Sequence, residues 1–213
     1  MKLPSILYIY DPLCFWCYGF GPTLQKLFES LHDKVHFEIL SGGMYIGNQA
    51  GTVSQVSPYL KTAYKEIERQ TGVPFGEKFV KHILEPGTAI LNSEKPSIAL
   101  TTFKSYQPEN IVKFAHHLQE AFFYDGKDLT DDATYIPLAK LFGIDGEEFV
   151  KKMHHPDYTR KTKEEFKIVN ELGASGFPTI LLLTEKQNYL LTRGYIEFEP
   201  LYLTINQLLS PVS

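Results

Sequence analysis

Residues 6–17 read ILYIYDPLCFWC and include the only two cysteines of this 213-residue chain, Cys14 and Cys17. The first five of these residues are β-branched, aromatic or aliphatic, and Asp11-Pro12 ends the run, a pattern typical of a buried strand that enters a turn. A helical pattern begins at Cys14 and continues to Leu31. The sequence therefore predicts a strand, a turn and a helix that starts at the cysteine pair.

The spacing of the two cysteines favours redox chemistry. At the start of a helix, the first sulfur lies near unpaired N–H groups and the positive end of the macrodipole, which stabilise a thiolate over a thiol. The thiolate of Cys14 would attack a disulfide, and Cys17, one turn further along the helix, would resolve the mixed disulfide that forms. Two thiols at this spacing suffice for a full cycle of thiol-disulfide exchange.

Two other uses of a cysteine pair fit the sequence less well. A structural zinc site needs four Cys or His ligands, and the adjacent histidines at 116 and 117 or at 154 and 155 lack the usual ligand spacing. A purely structural disulfide between Cys14 and Cys17 would close a very short loop and constrain the unfolded chain little. We therefore expect a redox pair that needs no metal ion and no organic cofactor.

Composition narrows the range of partners. The formal net charge is −4 and hydrophobic residues make up 43% of the chain, which predicts a globular protein with a substantial core and no basic surface for nucleic acid. The first ten residues do not resemble a signal peptide, and no stretch approaches a membrane span. We therefore expect a cytoplasmic protein, in which the glutathione and thioredoxin systems keep the pair reduced and favour reduction or isomerisation over net oxidation.

The rest of the chain shows two kinds of pattern. Strand-like and helical segments alternate near both ends, whereas residues 53–156 show successive short helical segments and almost no strand signal. Pro22 should kink the first helix. Further strands are predicted at 35–40, 179–183 and 189–192, and helices at 162–172 and 200–209. The sequence thus predicts an α/β domain built from residues 1–45 and 157–213, interrupted by an all-helical domain at 46–156.

A second distinctive segment, Gly176-Phe177-Pro178-Thr179, stands between a predicted helix and a predicted strand. Pro178 is a candidate for a cis peptide bond, because the cis form of an X-Pro bond costs only about 0.5–1 kcal/mol. Its position, downstream of a Cys-x-x-Cys helix and just before a β-hairpin, strengthens this prediction.

Together these segments resemble the DsbA-like branch of the thioredoxin superfamily over essentially the whole chain. The resemblance rests on Cys14-Phe15-Trp16-Cys17, on Pro22, on Gly42-Gly43-Met44 and on the Gly-Phe-Pro-Thr segment, and is closest to cytoplasmic bacterial proteins described as predicted protein-disulfide isomerases. It implies an α/β thioredoxin fold with an all-helical insertion domain. It also implies that Cys14 and Cys17 are the catalytic pair and that Pro178 is a cis-proline facing them.

The resemblance also suggests how a substrate is held. The backbone of Phe177 would pair with an extended substrate segment, which is strand addition. Phe15 and Trp16 are predicted to contact the substrate as well, although Trp16 could instead pack against the helical insertion. These two residues replace the His-containing spacer of the secreted enzymes, so stabilisation of the Cys14 thiolate must rest mainly on the helix terminus.

The predicted activity is thiol-disulfide exchange by a protein-disulfide oxidoreductase or isomerase that acts on protein or peptide thiols and disulfides. Glutathione or the thioredoxin system would serve as co-substrate or recycling partner. Two alternatives stay open: a glutathione-dependent isomerase or transferase of the same branch, which characteristically has Ser where this chain has Cys14, and a non-catalytic adaptor. His36 and Glu38 could carry protons under the site, although such residues more often form the polar face of a strand.

Overall fold

The computed structural model of the protein describes residues 3–56 and 59–210. Its strands are β1 (Ser5–Tyr10), β2 (His36–Ser41), β3 (Gly51–Thr52), β4 (Ile90–Leu91), β5 (Thr179–Leu183) and β6 (Asn188–Arg193). Four of them form one mixed sheet in the order β2-β1-β5-β6. Strand β1 runs parallel to β2 and antiparallel to β5, and β5 runs antiparallel to β6.

The sheet is surrounded by helices. Their bounds are α1 (Phe15–Leu31), α2 (Val53–Val56), α3 (Leu60–Thr71), α4 (Glu77–Phe79), α5 (Glu94–Phe103), α6 (Ile111–Phe123), α7 (Tyr135–Lys140), α8 (Gly146–Met153), α9 (Pro156–Glu171) and α10 (Phe198–Leu209). Short 3-10 turns precede α6 and α7, and a single π-helical turn, Val80–Leu84, follows α4.

Strand β1 is central because it is apolar on both faces. Its even-numbered residues, Ile6, Tyr8 and Tyr10, face the main core together with the buried side of α1, and Leu7 and Ile9 face a second core that Val169 of α9 covers. A strand with alternating side chains buried on both sides must lie inside a sheet that is layered between helices. The turn after β1, which carries the cysteine pair, is therefore held at the edge of a doubly covered sheet.

The predicted fold class is confirmed: the chain has an α/β thioredoxin fold with a helical insertion between β2 and α9. The strands at 5–10 and 179–183 and the helix beginning next to Cys14 match the sequence-based expectation closely. The two-residue pair β3–β4 was not predicted, because two residues leave no periodic signal. The division into domains at residues 46 and 156 stays a prediction.

Two details differ from the sequence-based expectation. Helix α9 begins at Pro156, six residues before the predicted start, and Leu172, which the helical spacing of apolar residues in 162–172 predicts to face inward, is 46% exposed. The first turns of α9 are polar on the side that faces α5. The Tyr158 hydroxyl donates to Ser105, just after α5, and the Thr162 hydroxyl donates to Thr101 within α5. A periodicity of apolar residues cannot detect such a polar interface.

Within the described residues, none of the helices has both the length and the apolar character needed to cross a bilayer.

Candidate active site

Cys14 is the N-cap residue of α1. Its backbone is extended, with φ −81° and ψ 117°, and its Sγ accepts a hydrogen bond from the N–H of Cys17 at 3.4 Å. The Cys14 N–H donates to the carbonyl oxygen of Asp11 at 3.0 Å, which fixes the turn. The sulfur thus occupies the helix start, where unpaired amides and the macrodipole favour an anion.

Cys17 lies beneath Cys14 and is fully buried, whereas Cys14 is 4% exposed; both are free thiols. Burial raises the pKa of the Cys17 thiol well above its usual value, and the neighbouring Cys14 raises it further. The backbone of Asp11 and the hydroxyl of Tyr8 act in the opposite direction. Cys17 is therefore protonated in the dithiol state, and its proton must leave when it attacks.

The segment around Pro178 meets the cysteine pair. The Phe177–Pro178 peptide bond is cis, and the Cys14 thiol donates to the Phe177 carbonyl oxygen over 3.6 Å. No acceptor for the Phe177 N–H is found within residues 3–56 and 59–210. The structure thus brings together Cys14, Cys17 and Pro178 and leaves a backbone donor beside them.

The three predicted substrate-binding aromatic residues lie in different surroundings. Phe15 is 5% exposed, and its ring lies 4.8 Å from Phe123 and 5.4 Å from Phe75, centre to centre. Trp16 is half-buried, and its aromatic neighbour at 6.2 Å is Tyr195, which precedes α10. Phe177 is half-buried against both cores. Their roles toward a substrate stay predictions.

A cavity of about 430 Å³ opens next to Cys14. It is lined by Phe15 and Trp16, by Leu60 and Ile67 of α3, by the loops 42–45 and 174–177, and by Gln49, Tyr59 and Asn170. No charged side chain is found among the described residues that line it. A cavity of this volume is in the range of ligand pockets in proteins.

Sequence reasoning missed Asp11 as a functional residue and treated it only as part of a turn. Its carboxylate is fully buried and accepts hydrogen bonds from the N–H of Leu13 (2.9 Å), the N–H of Met44 (2.7 Å) and Oγ of Ser93 (2.8 Å). Burial raises the pKa of Asp11 to about 6, although these hydrogen bonds oppose the rise. Its position between a buried strand and a Cys-x-x-Cys motif was the feature of the sequence that could have identified Asp11 as part of the site.

The two residues considered as proton carriers lie elsewhere. His36 and Glu38 are exposed on β2, while Phe37 and Ile39 between and beside them are buried. They form the polar face of the strand and do not line the cavity next to Cys14. Asp11 is the carboxylic acid nearest in sequence to the cysteine pair, and its backbone carbonyl accepts the Cys14 N–H.

Comparison with known proteins agrees with this geometry. A family model described as Thioredoxin matches residues 7–198. The chain is 23% identical over 192 residues to the ClpXP adapter protein SpxH of Halalkalibacterium halodurans and 24% identical over 186 residues to SpxH of Bacillus subtilis. These matches cover 86% and 84% of this chain but only 60% and 58% of the relatives, so the chain spans about 60% of the length of these curated relatives.

Solved structures resemble the chain over nearly its full length. A candidate protein disulfide isomerase from Nitrosomonas europaea superimposes with a TM-score of 0.87 at 24% identity, covering 100% of both chains. The cytosolic disulfide reductase DsbM from Pseudomonas aeruginosa superimposes with a TM-score of 0.80 at 24% identity, covering 96% of this chain and 98% of DsbM. At these identities the likeness concerns the fold. The chain belongs to the thioredoxin family and has the DsbA-like form of its fold.

Proposed function

We propose that this protein is a thiol-disulfide oxidoreductase that acts on disulfides of proteins or peptides. The observation that carries the proposal is the position of Cys14 Sγ, which caps α1, accepts from the Cys17 N–H at 3.4 Å and touches the Phe177 carbonyl at 3.6 Å. One sulfur is thereby placed for attack, a second thiol lies one turn behind it, and a free backbone N–H beside them can pair with an extended segment.

The proposed cycle balances without a further cofactor. The Cys14 thiolate attacks a substrate disulfide, the substrate S–S bond breaks, and one substrate thiolate leaves and takes up a proton. Cys17 then loses its proton and attacks the Cys14 sulfur, which releases the second substrate thiol. The substrate is reduced by two electrons, and the enzyme is oxidised to a Cys14–Cys17 disulfide. If another cysteine of the substrate attacks the mixed disulfide first, the outcome is isomerisation.

Recycling requires an external dithiol or two molecules of a monothiol. Glutathione fits this role, because DsbM, which shares the fold, has also been solved with glutathione. We also propose that the protein acts in the cytoplasm, because DsbM is described as cytosolic. The cytosol keeps thiols reduced, as this step requires. The thioredoxin system is the other candidate for this step.

The reduction of insulin disulfides tests the proposal. The wild type should reduce insulin with glutathione or a dithiol as the electron source, and Cys14→Ser should lower the rate at least about a hundredfold, since the nucleophile is removed. Cys17→Ser should stall after the mixed disulfide. Full activity in both variants would contradict the assignment, and transferase turnover that survives Cys14→Ser would favour a glutathione-dependent transferase instead.

A second candidate function is suggested by the SpxH relatives, which are named as adapter proteins. An adapter binds a partner through surface contacts and does not need a mixed disulfide. Partner binding that is unchanged in a Cys14→Ser, Cys17→Ser double variant, together with no reduction of insulin by the wild type, would favour this function.

A further inference from the structure

The turn that carries Cys14 is held by buried polar side chains from the helical insertion. Ser93 precedes α5 and is fully buried, and Gln119 lies on α6 and is 3% exposed. Both are far from Cys14 in sequence, and neither belongs to the Cys-x-x-Cys or the Gly-Phe-Pro-Thr segment. Each bonds to Asp11.

Ser93 joins Asp11 to the wall of the cavity. Its Oγ donates to Asp11 Oδ1 at 2.8 Å and accepts from the Tyr45 N–H at 3.1 Å, and its own N–H donates to the Tyr45 carbonyl at 2.9 Å. Met44, the neighbour of Tyr45, donates its N–H to Asp11 Oδ2 at 2.7 Å. Both Met44 and Tyr45 line the cavity next to Cys14.

Gln119 bonds to the backbone of Asp11 and not to its carboxylate. Its Nε2 donates to the Asp11 carbonyl oxygen at 3.3 Å, and the same oxygen accepts the Cys14 N–H at 3.0 Å. The carboxylate of Asp11 also accepts the Leu13 N–H at 2.9 Å. The side chain and the backbone of one residue thus connect α5, α6, the loop after β2 and the turn before Cys14.

Among the residues that the structure describes, the donors to the Asp11 carboxylate are all uncharged. A buried carboxylate without a cation depends on every hydrogen bond it receives, because an unsatisfied charged group in the interior is costly. The arrangement therefore has little freedom, and removing one donor is expected to move the loop, the turn or both.

We propose that Ser93 and Gln119 are positioning residues, through which the helical insertion fixes Asp11, the Cys14 turn and the Met44–Tyr45 wall of the substrate cavity. This inference rests on the proposed exchange activity and adds a role for the insertion beyond covering the site. A displacement of about 1 Å at a reacting group can lower a rate about a hundredfold, so we expect a clear kinetic effect from residues that never touch the substrate.

A matched pair of serines, one directly before α5 and one within it, tests this role. Ser93→Ala removes a hydrogen bond to Asp11, whereas Ser97→Ala alters a fully buried serine of α5 whose Oγ has no hydrogen-bond partner among the described residues. We expect Ser93→Ala to lower kcat/KM for insulin reduction about tenfold or more, with Ser97→Ala within about twofold of the wild type on the same basis. Ser93→Thr, which keeps the hydroxyl, should recover most of the activity.

Further measurements separate positioning from loss of stability. The rate at which iodoacetamide alkylates Cys14 in a Cys17→Ala background, measured against pH, should change with Ser93→Ala and not with Ser97→Ala. Should Ser93→Ala not fold, Gln119→Met gives the corresponding test from α6, with the same expected direction. The inference is overturned if the kinetic constants and alkylation profile of Ser93→Ala, or of Gln119→Met in its place, match those of Ser97→Ala. Lack of insulin reduction by the wild type would instead overturn the proposed function.

Discussion

At the scale of single residues, Asp11 makes the stability of the folded protein depend on pH. Its pKa in the folded state is about 6, above the usual value of 3.8, because the carboxyl group is buried. Between about pH 4 and pH 6 the folded state therefore holds a proton that the unfolded state lacks. The contribution of Asp11 to the free energy of unfolding is therefore greatest below pH 4, and this contribution is lost as the pH rises through 6.

The direction of this pH dependence can be measured by comparing the wild type with Asp11→Asn. Relative to Asp11→Asn, the wild type should gain on the order of 3 kcal/mol in free energy of unfolding between pH 7 and pH 4. Urea unfolding of both proteins at the two pH values measures this gain, and the other carboxylates cancel in the comparison. A difference that does not change with pH would show that Asp11 titrates normally.

The sequence predicts that three residues of this site lie close together. Cys14, Cys17 and Pro178 were predicted because their chemistry is tied to short motifs, and the structure places them together. The burial of Asp11 could not be predicted in the same way, because its partners Met44 and Ser93 lie 33 and 82 residues away. Only the folded chain shows that this carboxylate has no access to water.

At the scale of elements, a close approach joins the loop after β2 to the segment before β5. A Cβ atom on Gly42 would lie 2.0 Å from Cζ of the Phe177 ring. The Phe177 ring thus packs directly on the Gly42 backbone. This contact explains why a residue without a side chain is needed there.

We expect Gly42→Ala to lower the free energy of unfolding by about 1–3 kcal/mol, as overpacking does in cores. The matched control is the same substitution in a Phe177→Ala background, where the ring that clashes is gone and the cost should largely disappear. Urea unfolding of the four proteins gives this coupling. Equal costs of Gly42→Ala in both backgrounds would mean that the ring is not what excludes a side chain.

The boundaries of some elements were predicted accurately from the sequence, and those of others were not. Strands β1 and β5 were predicted almost to the residue, because strands buried on both faces read as short apolar runs. The start of α9 was placed too late, because its first turns meet α5 through hydroxyl groups of Tyr158 and Thr162. Polar interfaces between helices carry no periodic apolar signal.

At the scale of the whole molecule, the insertion is joined to α1 through an aromatic cluster. The ring of Phe15 lies within 6 Å of the rings of Phe75, Phe79 and Phe123, centre to centre. One residue of the Cys-x-x-Cys spacer is therefore part of the core between the insertion and α1. The sequence predicted the insertion but not this use of Phe15.

Phe15→Ala should lower the free energy of unfolding by about 3–5 kcal/mol, the usual cost of removing a buried aromatic ring. Phe15→Leu, which retains most of the volume, tests the predicted substrate contact of Phe15 separately. A raised KM for insulin in this variant without loss of stability would support the contact, and an unchanged KM would leave Phe15 with a packing role only.

The most direct test of the account compares the reactivity of Cys14 in the folded and unfolded chain. The Cys17→Ala protein has Cys14 as its single thiol, and its reaction with glutathione disulfide at pH 7 can be followed by mass spectrometry as a single mixed disulfide. Because the folded chain holds the Cys14 sulfur at the helix start with the Cys17 N–H directed at it, the folded protein should react about tenfold faster than the same protein in concentrated urea. Equal or slower reaction in the folded state would contradict the account.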